Sequence, residues 1–454
     1  MSAPGSPGGD LLDIADAVMA LAQDGEQVEA YVERSRDTQV RVHDGGVEHL
    51  AVAESFGVGV RIVRDHRQGF AYCGTFDHEA LAEAVVDARD NAAFAEPDEL
   101  AGLAEPDGVE PAPLDLWRDD LAAVPTDAKV ALLLDLERAV RGADRRITGF
   151  ESCDYEDSLA EVAVATTTGL RRASRSTGCE VVAYPLATDG DETQLGFGFS
   201  VARSFAGLEP DVAARDAVDR AVRLLGATQP PSGRMTVVLD PWVTAQLVGI
   251  VAGTLSGEEV VKGRSLFADR VGEQVANPAI TLVEDPTDAH AWGAAPVDDE
   301  GLATRRVRLI ADGVLQGYVH STRTGRRAGV ASTGSAVRSG FKAAPTSGSR
   351  AASLVPGTAT AAELLAGVDD GVLVQEVSGL HSGVNPVSGD LSTGAEGLRI
   401  RRGELAEPLR EFTVASTLQR LLQDVTAVGS DVTWLPMSAA GLTLVVADVA
   451  ISGA

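Results

Sequence analysis

The sequence predicts an α+β protein in two parts. The first is a two-layer α/β region of antiparallel strands flanked by helices; the second is a large, mostly antiparallel, β-rich C-terminal domain. Three observations carry this. Short runs of alternating apolar and polar residues, joined by Gly-containing turns, follow one helix-period segment and precede another. That order occurs twice, the pattern of a duplication. Beyond Gln229-Pro230-Pro231-Ser232-Gly233 the chain becomes richer in Gly, Ser and Thr and less helical.

In order along the chain, Asp10–Gln23 places Leu11, Ile14, Val18 and Leu21 on one helical face. Val28–Glu33, Thr38–His43, Val47–Ala53, Gly57–Arg64 and Gly69–Cys73 read as short strands, with turns at Asp44-Gly45-Gly46 and Asp65–Gln68. Asp77–Ala93 reads as a helix capped by Asp77. Pro97–Pro113 is acidic, Pro-rich and aperiodic, so it reads as a linker. After it come a helix at Thr126–Arg141 capped by Thr126, five strands between Ile147 and Ala202, and a helix at Glu209–Leu225. The expected units are therefore 1–96, a linker at 97–114, 115–228, and 229–454. In the last unit, Pro241–Gly253 and Thr417–Val425 are helical and seven further runs, from Ile280 to Val449, are strand-like.

Charge narrows the function. The 454 residues hold 38 Lys+Arg against 67 Asp+Glu, a net −29 that repels phosphate backbones and anionic lipid surfaces; neither nucleic acid nor membrane is an expected partner. Met1–Gly9 has no basic region and no apolar core of a signal peptide, and Pro241–Gly257, the longest uncharged apolar stretch, is broken by Pro and Gly. Cys73, Cys153 and Cys179 stand alone, as reduced thiols do, so a cytoplasmic location is expected.

Hydrolytic motifs are incomplete throughout. A zinc peptidase helix needs two histidines about one turn apart with a glutamate beside the metal-bound water. The seven histidines offer no such pair, and Ala82 stands where His78-Glu79 would need its second ligand. There is no nucleophile elbow, and Ser339-Gly340-Phe341-Lys342 matches S-x-x-K without its supporting motifs. One segment stands out in texture: Ser378–Gly397, dense in Gly, Ser, Asn and Asp. It reads either as a loop that binds a peptide or a partner through His381, Asn385, Ser388, Asp390 and Ser392, or as a self-capped turn system.

This segment resembles the TldD/PmbA family, once described as modulators of DNA gyrase. Gly383–Gly397 meets the pattern G-x-N-x-x-[ST]-G-D-x-S-x-G-A-x-G. Asp298-Asp299-Glu300-Gly301 with Thr304-Arg305-Arg306, Gly57-Val58-Gly59-Val60-Arg61, and Glu411–Ala415 leading to Val428-Gly429-Ser430-Asp431 agree in order, so the likeness spans nearly the whole chain. It implies two branches. TldD-type members carry H-E-x-x-x-H and a C-terminal cysteine as zinc ligands, whereas PmbA (TldE) types lack them and pair with a TldD partner. Here Val248, Gly249 and Gly253 occupy the three motif positions, and Trp434–Ala454 holds no cysteine. The resemblance thus implies a TldE-like chain with no metal and no catalytic residue of its own. Zinc is expected in a TldD-type subunit with which it forms a heterodimer, or the chain is a homodimer. An unfolded peptide, bound extended, is the expected substrate. The competing readings are a stand-alone homodimeric peptide-binding or natural-product-pathway protein, and a hydrolase with an unfamiliar site.

Overall fold

The computed structural model describes residues 9–453; the N-terminal segment read for a signal peptide lies outside them up to residue 8. In the first part, β1 (Gln27–His43), β2 (Gly46–Arg64), β3 (Arg67–Cys73), β4 (Ile147–Thr166), β5 (Arg171–Asp189) and β6 (Glu192–Leu195) form one antiparallel sheet in the order β3-β2-β1-β4-β5-β6, with β7 (Gly198–Ala202) also on β5. The register from Glu29↔Thr166 to Val42↔Cys153 joins the two halves of the duplicated pattern into this one sheet.

Several short strands of the sequence reading are single long ones. Val28–Glu33 and Thr38–His43 are both in β1, and Val47–Ala53 and Gly57–Arg64 are both in β2. The alternation fails at Arg34-Ser35-Arg36-Asp37, yet the ladder continues because charges pair across it: Arg34 reaches Glu161 at 3.1 Å and, farther along, Arg41 reaches Asp154 at 2.6 Å. Conversely Leu195–Ala202 splits into β6 and β7. At Gly196 the chain runs against a helix backbone, where a Cβ would stand 2.3 Å from the carbonyl oxygen of Ala217.

Helices cover one face of the sheet: α1 (Gly9–Met19), α2 (His78–Phe94), α3 (Asp119–Ala123), α4 (Thr126–Ala143) and α5 (Pro210–Val222). Strand alternation sends Val28, Ala30, Val32, Val60 and Ile62 into the α1/α2 core, and Val40, Val42, Tyr155 and Val181 into the α4/α5 core. Asp77 precedes α2, but its carboxylate accepts from the Thr75 hydroxyl at 2.9 Å and caps no helical N–H; Thr126 is the first residue of α4, preceded by Pro125. The Pro-rich stretch has no regular element, as expected, but it is tied down. Leu103 and Ala104 are buried, the Leu103 carbonyl accepts from Arg326 at 2.8 Å, and Asp98 pairs with Arg327 at 2.7 Å.

In the C-terminal part, β8 (Gly233–Leu239), α6 (Pro241–Thr254), α7 (Gly257–Val261), β9 (Leu282–Glu284), β10 (Val307–Ala311), β11 (Val314–Leu315), α8 (Thr322–Ala328), β12 (Ala336–Val337), β13 (Thr346–Ser347), β14 (Ala352–Leu354), α9 (Ala361–Ala366), β15 (Asp370–Ser378), α10 (Leu380–Gly383), β16 (Asp390–Arg401), β17 (Glu404–Thr417), α11 (Leu418–Gln423), β18 (Val425–Val428), β19 (Thr433–Trp434), β20 (Ala440–Gly441) and β21 (Leu444–Ser452) follow in order. β8, β15, β16, β17 and β21 pair in a closed ring, since β17 bonds both β16 and β21; only the β8–β15 pair of this ring is parallel. A second sheet runs β11-β10-β9-β14, and α6 packs between ring and sheet, with Val248 and Val251 among Leu239, Leu282 and Ile310. No helix among the described residues is long and apolar enough to cross a membrane.

Candidate functional site

Helix α6 begins at Pro241, capped by the Asp240 carboxylate, which accepts from the Trp242 amide at 2.9 Å and is held by Arg220 at 3.1 Å. Burial pushes the Asp240 carboxyl above its ordinary range, against the pull of Arg220. From Pro241 to Thr254 the helix carries no acid, base or histidine. Val248 is buried in the apolar core. A Cβ on Gly249 would stand 3.8 Å from the Ala439 Cβ, and one on Gly253 would meet nothing within 4 Å. An isopropyl group and two bare backbone positions offer zinc no donor, so these residues do not fit the metal that the active branch of the family holds. Among the described residues, no group of three or more His, Cys, Asp or Glu is placed to hold a metal ion.

The Gly/Ser/Asn segment is partly strand. β15 ends at Ser378, the turn of α10 follows, and β16 starts at Asp390, so Asp390–Gly397 lies in a ladder and not in a loop. The sequence reading missed this because glycine and serine at alternate positions hide the two-residue period. Between the strands the polar groups satisfy one another. The Asn385 side chain accepts from the amides of Val387 at 2.9 Å and Ser388 at 3.2 Å; the Ser388 hydroxyl donates to Asp390 at 2.7 Å; and the Gly389 amide donates to the Asn385 carbonyl at 2.7 Å. α11 docks on the turn through Gln419, which donates to the Ser388 carbonyl at 3.1 Å. His381, Asn385, Ser388, Asp390 and Ser392 are all exposed.

Two other segments singled out in the sequence meet in the interior. Arg61, on β2, donates Nη2 to Glu300 at 3.2 Å and Nε to Glu29 Oε1 at 3.1 Å; Arg338 pairs with the same Glu29 oxygen. The second Glu300 oxygen accepts the Thr322 amide at 2.8 Å in the first turn of α8. The two arginines hold the Glu29 carboxyl below its ordinary value in spite of complete burial. The glycines beside Arg61 have a packing reason. A Cβ on Gly57 would sit 2.3 Å from the Phe341 ring, and one on Gly59 2.5 Å from the Phe341 carbonyl. Phe341 also donates its amide to Glu33 at 2.9 Å. The Gly/Ser/Arg-rich stretch from Arg323 to Thr346 is thus docked on the N-terminal sheet, and Ser339–Lys342 is the seat of Phe341. Sequence reasoning missed Glu29 and Arg338. The signal for Glu29 was a lone charge inside Val28-Glu29-Ala30-Tyr31-Val32.

The chain is thus a seven-stranded sheet docked by a buried charge cluster onto a closed β-rich domain. Models of the PmbA/TldA metallopeptidase domain 1, central domain and C-terminal domain match residues 28–92, 119–225 and 232–453 respectively. The chain belongs to the PmbA/TldD metallopeptidase family. It is 24% identical over 422 residues to the metalloprotease PmbA of Escherichia coli O157:H7, covering 92% of this chain and 91% of that protein. It is 26% identical over 413 residues to a metalloprotease TldD homolog of Haemophilus influenzae, covering 89% and 85%. Similar solved structures are a putative modulator of a DNA gyrase from Thermotoga maritima (TM-score 0.90, 24% identity, 97% of this chain and 100% of that one) and TldE from Thermococcus kodakarensis (TM-score 0.89, 23% identity, 98% and 100%). These structures share its fold.

Proposed function

We propose that this chain is the non-metal subunit of a cytosolic TldD/TldE-type metalloprotease that acts on small unfolded peptides. The observation that carries the reading is α6: at the three positions that bear H-E-x-x-x-H in the active branch it presents a core valine and two glycines. The partner supplies the zinc and the water it activates. This chain lends walls to the chamber, with the exposed His381, Asn385, Ser388, Asp390 and Ser392 bordering the substrate or the partner. An extended peptide held by main-chain bonds needs no particular side-chain sequence, which suits unfolded substrates.

The test is co-expression with a TldD-type subunit of the same host, followed by light scattering, zinc analysis and hydrolysis of an unstructured fluorogenic peptide. The expected result is a mixed complex whose zinc and activity vanish when the partner's histidines are replaced. Peptide cleavage by this chain alone, with zinc bound to it, overturns the reading.

A further inference from the structure

The face of the N-terminal sheet turned away from its helices forms one wall of a cavity of about 210 Å³; the opposite wall comes from the C-terminal domain around Asp298, Arg338 and Arg350. The register fixes the first wall. Tyr31, Val164 and Arg172 form one cross-strand row; Glu33, Val162 and Ser174 form the next. Neighbouring antiparallel strands lie about 4.8 Å apart and two residues rise about 6.8 Å, so the acid of β1 and the base of β5, one row apart, have backbones about 12 Å from each other across an apolar floor from β4.

Most charges lining the cavity are already used. Arg338 pairs with Glu29 and stacks on the Tyr31 ring, and Arg350 pairs with Asp299. Asp298 accepts three backbone amides, from Glu300, Leu302 and Ala336, each at 3.0 Å. One guanidinium is left. Arg172 makes one long bond, from Nη1 to the Arg171 carbonyl at 3.4 Å, and its buried Nε has no partner. Arg175 falls in the next row with Glu161, which strand alternation turns to the opposite face, and its guanidinium stacks over Trp117 at 4.8 Å; Arg172 has no carboxylate within ion-pair distance among the described residues. In a chain of net −29, an unpaired arginine with an orphaned Nε in a cavity is an anion site in waiting, because a buried donor without an acceptor is costly. Across the floor from it, Glu33 accepts only the Phe341 amide and has no cation partner among the described residues. The volume falls below the roughly 300 Å³ at which sites for drug-sized ligands begin, so the guest is small.

We propose that this cavity binds a dipeptide-sized zwitterion, its carboxylate on Arg172 and its ammonium on Glu33. The choice of a peptide fragment among zwitterions rests on the proteolytic reading above. Such a site retains the smallest fragments, at a distance from α6.

The experiment is calorimetric titration of the full chain, alone, with L-alanyl-L-alanine, its C-terminal amide, its N-acetyl form and inorganic phosphate. Saturable binding of the free dipeptide is expected, weakened about tenfold or more by Arg172→Gln, by Glu33→Gln and by blocking either terminus. Arg172→Lys, which keeps the charge, retains part of the affinity, and Arg171→Gln, exposed on the same strand, retains all of it. Melting curves identify any variant that fails to fold, and Arg172→Lys then carries the comparison. No binding, equal binding of the amide, unchanged affinity in Arg172→Gln, or binding of phosphate alone overturns the proposal. Because no partner is present, a failed titration leaves the proteolytic reading standing, and failed association with a TldD-type subunit leaves the titration standing.

Discussion

Arg61 and Glu300, 239 residues apart in the chain, meet at 3.2 Å in the interior. Their side chains are 3% and 1% exposed, so neither charge is screened by water. The contact locks the first sheet to the C-terminal domain and, through the second Glu300 oxygen, sets the first turn of α8. It also explains why two motifs distant in sequence were both legible: each holds one half of a buried ion cluster. Removing one partner strands the others in a low-dielectric site.

Arg61→Met is therefore expected to cost about 3–5 kcal/mol, because Glu29 and Glu300 lose a shared cation. Arg61→Met combined with Glu300→Gln is expected to recover part of that loss. Urea unfolding of the three proteins checks both statements; an additive double variant contradicts the coupling.

Gly59→Ala is expected to destabilise by about 1–3 kcal/mol, since its Cβ meets the Phe341 carbonyl, a backbone atom that yields only if its segment shifts. Gly57→Ala is expected to cost as much, because its Cβ meets the Phe341 ring at 2.3 Å and, wherever that ring turns, the Cys73 carbonyl at 2.5 Å. Limited proteolysis between Arg338 and Lys342 reads the displacement directly: faster cleavage in both variants than in the parent is the expected result.

The two-part α+β class and the longer helices were legible because hydrophobic period survives in Leu11–Val18, in α4 and in α5, whereas α3 and α7 to α10, of four to seven residues, are too short to show a period. Strand lengths were not. A strand with one face on helices and the other on a second domain takes charge wherever a partner exists across the ladder, as at Arg34–Glu161, and its apolar alternation then breaks. The position of α6 was readable, but not its burial between ring and sheet. The cavity was invisible because Tyr31, Glu33, Arg172 and Ser174 come together only through the β1–β4–β5 register, which local pattern does not encode.

Glu376, on β15, faces Glu396, on β16, in the ladder. Burial, reinforced by Glu396, pushes the Glu376 carboxyl up to about 7 from the ordinary 4.5. A raised folded-state value means the folded chain binds more protons between these limits. The stability so gained is complete below pH 4.5 and is lost as pH rises through about 7. Glu376→Gln is expected to flatten this fall and to stabilise the chain by about 1–2 kcal/mol at pH 8, after a discount for partial exposure. Melting temperatures from pH 5 to pH 8 check it; parallel curves for the two proteins contradict it.

Reinstating the motif on α6 tests whether the missing ligands alone separate this chain from a metal site. Val248→His puts a polar ring among Leu239, Val251 and Leu282, and an unpartnered polar group there costs about 1–3 kcal/mol. Gly249→Glu starts in ordinary contact, 3.8 Å from the Ala439 Cβ, and Gly253→His enters open space. The buried valine position is then the costly one of the three, and Trp434–Ala454 supplies no thiolate to complete a tetrahedral set. The triple variant is expected to be less stable than the parent, to retain less than one zinc per chain after dialysis, and to leave an unstructured peptide uncut. Gly253→His alone is expected to be close to neutral in the same melting assay. Stoichiometric zinc with chelator-sensitive hydrolysis in the triple variant would show that α6 is a metal helix in all but three residues.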